Sequence, residues 1–564
     1  MFTRKDVAAQ LGEAARLLDV LGEDPFRARA FQTAARAFES YGGDVTALHR
    51  EGRFTEVRGV GAGTAAELQV MFESGVLPTL ADLRSRVPDE VKEMFAVSGL
   101  GAKRIGNLWR SGVAGVDGLL EAAESGRLAA MPGFGAKSAA KILESARFAI
   151  ESRARMRLDE ADRLAEAILA AVISEFPAAR AAVAGEHRRG LETVAGIELV
   201  LTGIDAAELA DLAARLLDAV DAESPDGAVL GTLMGRRIGF RPTAPGAFGA
   251  VLALRTGSEE FAAEIALRAE FEGVDLHDRA ALESLDFEEE ADFLVWLGLP
   301  AAPPELRETR RPDPVPELLE LGEVRGLVHN HSTWSDGALS LREMLDMARR
   351  FGFAYLAMAD HSQSSAVANG LSEERVKAQS GEVLSLRAEL ASEGSAFELL
   401  HGIEVDIRGD GTLDYPDEVL SRLDYVVASV HQNFGLTRDE QTERIVRAVA
   451  NPHVNILGHA TGRLLLRRPG YDVDLERVIA ACAETGTVIE INANPRRLDL
   501  DWRWVIRAKE LGCTFSIDPD AHSGDGFDDL RYGVTMARKA GLTAADVVNT
   551  AASGAEFLVR LGRY

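Results

Sequence analysis

The chain reads as a multidomain assembly of α and α/β parts: helical domains first, an α+β middle, and a seven-stranded βα barrel at the end. Three observations predict this. A glycine hairpin recurs three times in the first 150 residues. Prolines and charges replace periodicity in "LPAAPPELRETRRPDPVPELLELG", and from Glu323 onward short apolar strands alternate with helical stretches. A chain of 564 residues exceeds what one hydrophobic core organises. The expected divisions are 1–85 and 86–155 (helical), 156–300 (α+β), 301–322 (linker) and 323–564 (barrel).

The helical part is rich in Ala, Leu, Glu and Arg. Its repeated element appears as "VRGVGAGTAAEL", "VSGLGAKRIGNL" and "MPGFGAKSAAKIL". The pairs Gly59 and Gly61, Gly99 and Gly101, and Gly133 and Gly135 permit a tight turn, and small residues then let the next helix approach closely. Backbone N–H groups at that helix start point outward, where a phosphate can sit. Lys103 and Lys137, with Lys141, Arg147, Arg153 and Arg155, add local positive charge. These stretches resemble helix-hairpin-helix motifs, which implies sequence-independent grip on a nucleic-acid backbone.

Composition narrows the classes. A net charge of -27 argues against broad electrostatic binding to nucleic acid, so any contact must be local. No apolar run reaches the length of a membrane span, the first helix lacks a signal peptide's apolar core, and no membrane association is expected. Cys482 and Cys513 suggest no disulfide framework and fit a reducing cytoplasm. A cytoplasmic, nucleoid-associated monomer is expected.

The strands of the last region share a feature. "GLVHNH", "YLAMADH", "FELLHGIE", "YVVASVH", "NILGH", "VIEIN" and "FSIDPDAH" carry histidine, aspartate or glutamate at their C-terminal tips. Spacings of about 30 residues suit repeated βα units. In a βα barrel those tips converge on one mouth, where such folds place their chemistry. Imidazole and carboxylate without thiolate suit Zn²⁺, Mn²⁺ or Fe²⁺. Isolated histidines at strand ends are ordinary core residues, but six with three carboxylates are not explained by packing alone.

This region resembles the PHP (polymerase and histidinol phosphatase) superfamily, which implies a distorted barrel holding up to three divalent ions. The matching ligand set is His329, His331, Asp336, His361, Glu404, His431, His459, Asp520 and His522. Mn²⁺, Zn²⁺ or Mg²⁺ are the expected ions. The resemblance implies phosphoester hydrolysis, with Asp336 and Glu404 as candidate bridging carboxylates and Asp520 orienting the attacking oxygen. Arg463, in "GHATGR", is a candidate to hold a substrate phosphate, with Asn492 and Arg497 weaker ones. His401 and His453 fall outside the pattern and read as structural.

The middle resembles the X-family DNA polymerases. "AGEHRRGLETVAGIELV" is similar to their Gly-Ser-x-Arg-Arg-Gly signature and following Asp-x-Asp strand, and Thr256, Gly257 and Ser258 match their nucleotide-site turn. A nucleotidyltransferase-like α+β palm is therefore expected. The departures fall on the chemistry. Glu186 replaces the signature serine, Gly196 and Glu198 replace the strand aspartates, and Gly239 the third. One glutamate in three positions is a poor two-metal site. Arg188, Arg189 and the Thr256–Ser258 turn are expected to keep phosphate contacts. Gly63 to Glu67 lacks the family's Schiff-base lysine.

Taken over the whole chain, the resemblance implies a bacterial X-family polymerase with a PHP domain. The expected activity is metal-dependent 3′–5′ hydrolysis of gapped, nicked or 3′-recessed DNA in base-excision or gap repair. Three alternatives stand beside it: a Mn²⁺-dependent gap-filling polymerase with altered ligands, a phosphatase of small monoesters, and a non-catalytic end-binding scaffold.

Overall fold

Three turns of one kind punctuate the N-terminal region in the computed structural model, which describes residues 2–39, 41, 43–221, 224, 227–308 and 314–562. Val60, Leu100 and Phe134 donate from backbone N–H to Val57, Val97 and Met131 at 3.0, 3.2 and 3.1 Å. Gly59, Gly99 and Gly133 adopt φ of 96°, 82° and 87°, which only glycine takes without strain at this turn position. The apolar residue that follows is buried each time. Gly61 and Gly101 then cap helices α1 (Ala62–Ser74) and α2 (Ala102–Arg110), and Gly135 precedes α3 (Ala136–Arg153). These helices share one core that includes Phe31, Phe38 and Phe54. The chain divides into two compact units near Arg153.

The second unit contains two large sheets beside a two-stranded ribbon of residues 156–157 and 193–194. The first is mixed and five-stranded, built from β1 (Arg180–Ala184), β2 (Gly196–Thr202), β3 (Ala219–Val220), β4 (Val229–Leu233) and β5 (Arg236–Pro242). Its order is β1-β2-β5-β4-β3, with β2 and β5 parallel. That register sets Glu198 beside Gly239 and Gly196 beside Arg237.

The second sheet is parallel and seven-stranded, in sequence order: β6 (Gly326–Asn330), β7 (Tyr355–Met358), β8 (Glu398–Asp406), β9 (Tyr425–Ser429), β10 (Ile456–Leu457), β11 (Val488–Asn492) and β12 (Phe515–Asp518). All are almost wholly buried, as parallel strands covered on both faces must be. Gly326 and Gly402 stand directly opposite Tyr355 and Tyr425 on the neighbouring strands. A Cβ at either glycine would lie 2.0–2.2 Å from the tyrosine ring. Both rings pack on Phe557 and fill the barrel beneath its mouth.

The barrel is nearly closed. His331 donates to the Ala521 carbonyl at 2.9 Å near the tips of the first and last strands. Lower down, buried Asn549 takes over. Its amide donates to Gly326 O (3.1 Å) and Ile517 O (2.8 Å) and accepts from Ile517 N at 3.1 Å, satisfying backbone groups that no strand reaches.

The stretch expected to be a linker is docked in its described parts. Arg307 is buried against Glu290, Leu319 N donates to Leu542 O at 3.0 Å, and Arg538 pairs with Glu305 at 2.7 Å. Residues 309–313 lie outside the described residues. Among the described residues no helix is long and apolar enough to cross a membrane.

Asn549→Leu should destabilise the protein by on the order of 3 kcal/mol, because buried backbone groups on both edge strands lose their partner. Denaturant unfolding followed by circular dichroism checks this, and an unchanged midpoint would contradict the role given to Asn549.

Candidate metal centre

Every barrel strand but β11 delivers one or more of the nine expected side chains at or just past its C-terminal end, and β11 ends on Glu490 and Asn492. The structure brings all nine together. Glu404 is the hub. Its Oε1 lies 3.3 Å from His329 Nε2, 3.2 Å from His431 Nε2 and 3.0 Å from His459 Nε2. Its Oε2 lies 2.7 Å from His361 Nδ1 and 3.8 Å from His331 Nε2. Asp520 Oδ1 reaches His331 at 3.2 Å, His522 at 3.7 Å and His329 at 3.9 Å. Asp336, the more exposed acid, stands 3.4 Å from His522 and 3.7 Å from His361.

The backbone is bent to achieve this. His329, His459 and Asp520 have positive φ of 56°, 22° and 51°, a region non-glycine residues enter at a cost of about 1–3 kcal/mol. Each turn swings a side chain off the strand axis and into the mouth.

A further layer holds the ligand candidates in place. Glu490 pairs with His329 Nδ1 and accepts from His459 N at 2.5 Å. Asp406 takes His431 Nδ1 at 2.5 Å. Asn492 donates to Glu490 Oε2 (3.2 Å) and to Asp520 Oδ2 (3.1 Å). With their Nδ1 atoms occupied, His329 and His431 present Nε2 to the cluster. Of these supports, the sequence marked Glu490 as a strand-tip acid and Asn492 as a phosphate candidate, and left Asp406 and Asp518 unmarked. Asp406 was within reach of reading, lying two residues beyond Glu404 on the same strand face.

Charge compensation is mutual. Burial alone would raise Glu404, yet His431, His329 and His361 hold it well below the usual carboxylate range. Burial would also raise Asp336 and Asp520, and their neighbouring histidines, led by His522 and His329 respectively, hold both down. Burial opposes the charging of His431 and His522, but Glu404 and Asp406 push the first up to about 10, and Asp336 and Asp520 the second to about 9. Burial, then His522 and His361, drive His331 down to about 4. Behind them, burial and then Glu490 push Asp518 well above the carboxylate range.

The cluster fits divalent cations. Despite these close approaches, buried His329 Nε2, both ring nitrogens of His331, His361 Nδ1, Glu404 Oε2 and His459 Nδ1 make no well-aligned hydrogen bond among the described residues. Leaving such atoms unpaired costs roughly 1–3 kcal/mol each, which a shared cation removes. Three overlapping groups have ligand atoms within 4.8 Å of one another: His331, Asp336, His361 and His522; His329, His331 and Asp520; and His361, Glu404 and His431. A fourth group, His329 with Glu490 and Asp518, lies among buried residues.

Arg463 departs from expectation. Its guanidinium pairs with Asp501 at 2.6 Å and donates to the carbonyls of Arg497 (2.9 Å) and Leu498. It therefore ties loops together instead of waiting for phosphate. Arg497 is better placed, with Nε 3.5 Å from Asp520 Oδ2. His401 is the structural residue expected, buried against Gln379 at 3.0 Å and pulled down to about 4 by that burial.

The mixed sheet gathers Glu186, Arg189, Gly196, Glu198, Gly239, Gly257 and Ser258 around a cavity of about 410 Å³. Glu198 pairs with Arg241, and Glu186 accepts from Arg155 (3.0 Å) and Ala195 N (2.8 Å). A Cβ at Gly196 would lie 2.5 Å from the Arg237 carbonyl, so no side chain fits there. The phosphate contacts expected nearby are taken up internally. Arg188 pairs with Glu290 and donates to Thr256 Oγ1 at 3.0 Å. Buried Arg189 holds Glu308 (3.0 Å) and the carbonyls of Thr256 and Gly257. Ser258 caps the following helix through Phe261 N. These residues hold the protein together, because tertiary partners far off in sequence reached them first.

A near-closed parallel barrel with acids and imidazoles at its mouth, behind tandem glycine hairpins, defines a PHP-type protein with helix-hairpin-helix modules. Family models match accordingly: a helix-hairpin-helix domain over residues 3–77, a SAM-like helix-hairpin-helix tandem over 91–147 and a PHP domain over 328–494. The chain is 34% identical over 563 residues to the DNA polymerase/3′-5′ exonuclease PolX of Bacillus subtilis (strain 168), covering 97% of each protein. It belongs to the bacterial X-family DNA polymerases that carry a PHP domain. Its barrel is also similar to probable phosphatases. One from Thermoanaerobacter sp. (strain X514) is 33% identical over 163 residues, 27% of this chain and 64% of that protein. Another, from Shewanella sp. (strain MR-4), is 30% identical over 213 residues, 36% of this chain and 78% of that protein.

Because Glu404 touches five imidazoles and Asp336 two, their loss should differ in kind. After Mn²⁺ loading, Glu404→Ala should strip essentially all bound metal, whereas Asp336→Ala should retain part of it. Elemental analysis of desalted protein reads both, and equal losses would refute the hub arrangement.

Proposed function

We propose that the chain is a DNA end-processing nuclease whose barrel hydrolyses phosphodiesters from the 3′ side, and that its mixed sheet has given up templated synthesis. The observation that carries this is the convergence of nine acids and imidazoles in the barrel, set against a sheet whose one remaining acid is neutralised by Arg241.

Within this reading, His329, His331, Asp336, His361, Glu404, His431, His459, Asp520 and His522 hold up to three divalent cations, Mn²⁺ or Zn²⁺ by donor chemistry. Such cations supply Lewis acidity that activates water and offsets charge on a phosphate. The protein's own groups do the rest. Glu490 and Asp406 set the tautomers of His329 and His431, and Asn492 fixes the Asp520 carboxylate, which stays ionised and orients the attacking oxygen. Asp336 and His522 form the open rim, with side chains 36% and 38% exposed, so substrate enters there.

Away from the barrel, the outward N–H groups that follow Gly59–Gly61, Gly99–Gly101 and Gly133–Gly135 hold backbone phosphates, with Lys103 and Lys137 adding charge. Support comes from the three matching turns and from the Bacillus subtilis relative, whose name includes both polymerase and 3′-5′ exonuclease. Gapped, nicked or 3′-recessed DNA is the substrate proposed, met in the cytoplasm at the nucleoid.

The test is a labelled 3′-recessed duplex with Mn²⁺, with and without nucleotides. His329→Ala and Asp520→Ala should each slow shortening roughly hundredfold or more, the scale of losing several kcal/mol of cation stabilisation. Glu198→Ala should shorten DNA as the wild type does. Nucleotide-dependent extension that Glu198→Ala abolishes would overturn the assignment in favour of a polymerase, and hydrolysis of phosphate monoesters with DNA untouched would favour a phosphatase.

A further inference from the structure

One flank of the barrel mouth is cationic in a chain where acids outnumber bases 89 to 62. It is built by three consecutive loops. The loop after His431 contributes Phe434, the loop after His459 contributes Arg467 and Arg468, and the loop after Asn492 contributes Arg496 and Arg497. Their strands β9, β10 and β11 are neighbours, so the loops adjoin. Leu465 N donates to Arg496 O at 2.7 Å and binds two of them together.

The arginines are positioned, and Arg497 alone of the four reaches a carboxylate among the described residues. Arg468 donates to Gly462 O at 2.7 Å and lies over the Phe434 ring at 4.5 Å. Phe434 in turn stacks on Tyr471 at 5.8 Å and 24°. Arg497 reaches Asp520 at 3.5 Å. Among the described residues no carboxylate pairs with Arg467, Arg468 or Arg496, and Arg467 and Arg496 are exposed. Burial, and then the charges of Arg497 and Arg467, make Arg468 less basic than a free arginine, so these cations stand close enough to repel. Most other arginines here face an acid, as Arg463, Arg503 and Arg507 do.

Held cations without a counter-charge favour an incoming anion, and the guanidinium fork matches phosphate oxygens in pairs. A monoester offers a single phosphate, which the nine-residue cluster would take. A second phosphate requires a longer substrate. We propose that Arg467, Arg468, Arg496 and Arg497 bind the phosphodiester next to the one cleaved, so that the barrel selects a nucleotide strand over a small ester. The proposal rests on the phosphoesterase reading above and adds the feature that sets substrate length.

Two measurements on the full-length Arg467→Gln/Arg496→Gln variant test it. Its fold and metal content are first matched to wild type by circular dichroism and elemental analysis. The first measurement compares a single-stranded tetranucleotide with bis(p-nitrophenyl) phosphate, both with Mn²⁺. The ratio of kcat/KM for strand over small ester should fall roughly tenfold, mainly through KM for the strand. The second uses no metal: anisotropy of a labelled single strand in EDTA at several salt concentrations. Losing two phosphate contacts should flatten the slope of log K against log salt by about 1.4. The helical unit is common to both proteins, so the difference reports on the arginines. Parallel losses on both substrates, or an unchanged salt slope, would overturn the proposal. Wild type inert toward both substrates would instead sink the phosphoesterase reading, while the metal-free titration still judges the arginines.

Discussion

The barrel mouth depends on a carboxylate that water does not reach. Glu404 is 1% exposed, and burying an anion so completely costs several kcal/mol unless positive charge and hydrogen bonds surround it. Five imidazoles do so, from strands or strand ends that include β6, β7, β9 and β10. Those imidazoles need partners in turn, and Glu490, Asp406 and Asp520 provide them. Each layer is affordable only because the next exists. A parallel barrel suits this arrangement because its strand ends bring distant segments to one place while the strands below stay largely apolar. The left-handed backbone at His329, His459 and Asp520 shows where the scaffold yields to the cluster.

Much of this was legible in the sequence. Histidine and acid at strand tips follow a local rule, side chain after apolar run, and local rules survive without a structure. The glycine hairpins were legible for the same reason, since a turn requiring positive φ leaves a glycine behind. What escaped reading was pairing across long separations. Arg463 looked like a phosphate ligand because nothing nearby announced Asp501, 38 residues on. Arg188 and Arg189 looked available until Glu290 and Glu308 claimed them from about a hundred residues away. Asp406 and Asp518 are ordinary acids in the sequence and acquire meaning only through the histidine or acid each faces. The opposition of Gly326 to Tyr355 and of Gly402 to Tyr425 likewise depends on strand register, which composition does not encode.

In the mixed sheet, the positions expected to carry nucleotidyl-transfer chemistry hold a paired acid and glycines. Its cavity persists and its expected residues still line it, but Glu198 faces an arginine, and the backbone has closed over Gly196. Two-metal chemistry needs acids held near one another with their charges exposed to cations. Here the charges are already satisfied. The segment once expected to greet a nucleotide instead docks against the barrel: Arg189 O accepts from Lys539 at 3.0 Å, Glu192 pairs with Arg503 at 2.8 Å, and Gly190 lies so close to Thr535 that a Cβ would sit 2.2 Å from its methyl.

Lys539 makes that docking matter to the barrel as well. Its ammonium is wholly enclosed, bound to Glu308, Arg189 O and Glu305 O and lying 4.7 Å from the Trp502 ring. Of its three oxygen partners only the Arg189 carbonyl comes from the segment beside the sheet, while Glu305 and Glu308 lie in the stretch that leads into the barrel. A shift of that segment would therefore strip one ligand from a buried charge on a barrel helix, so the two parts cannot vary independently.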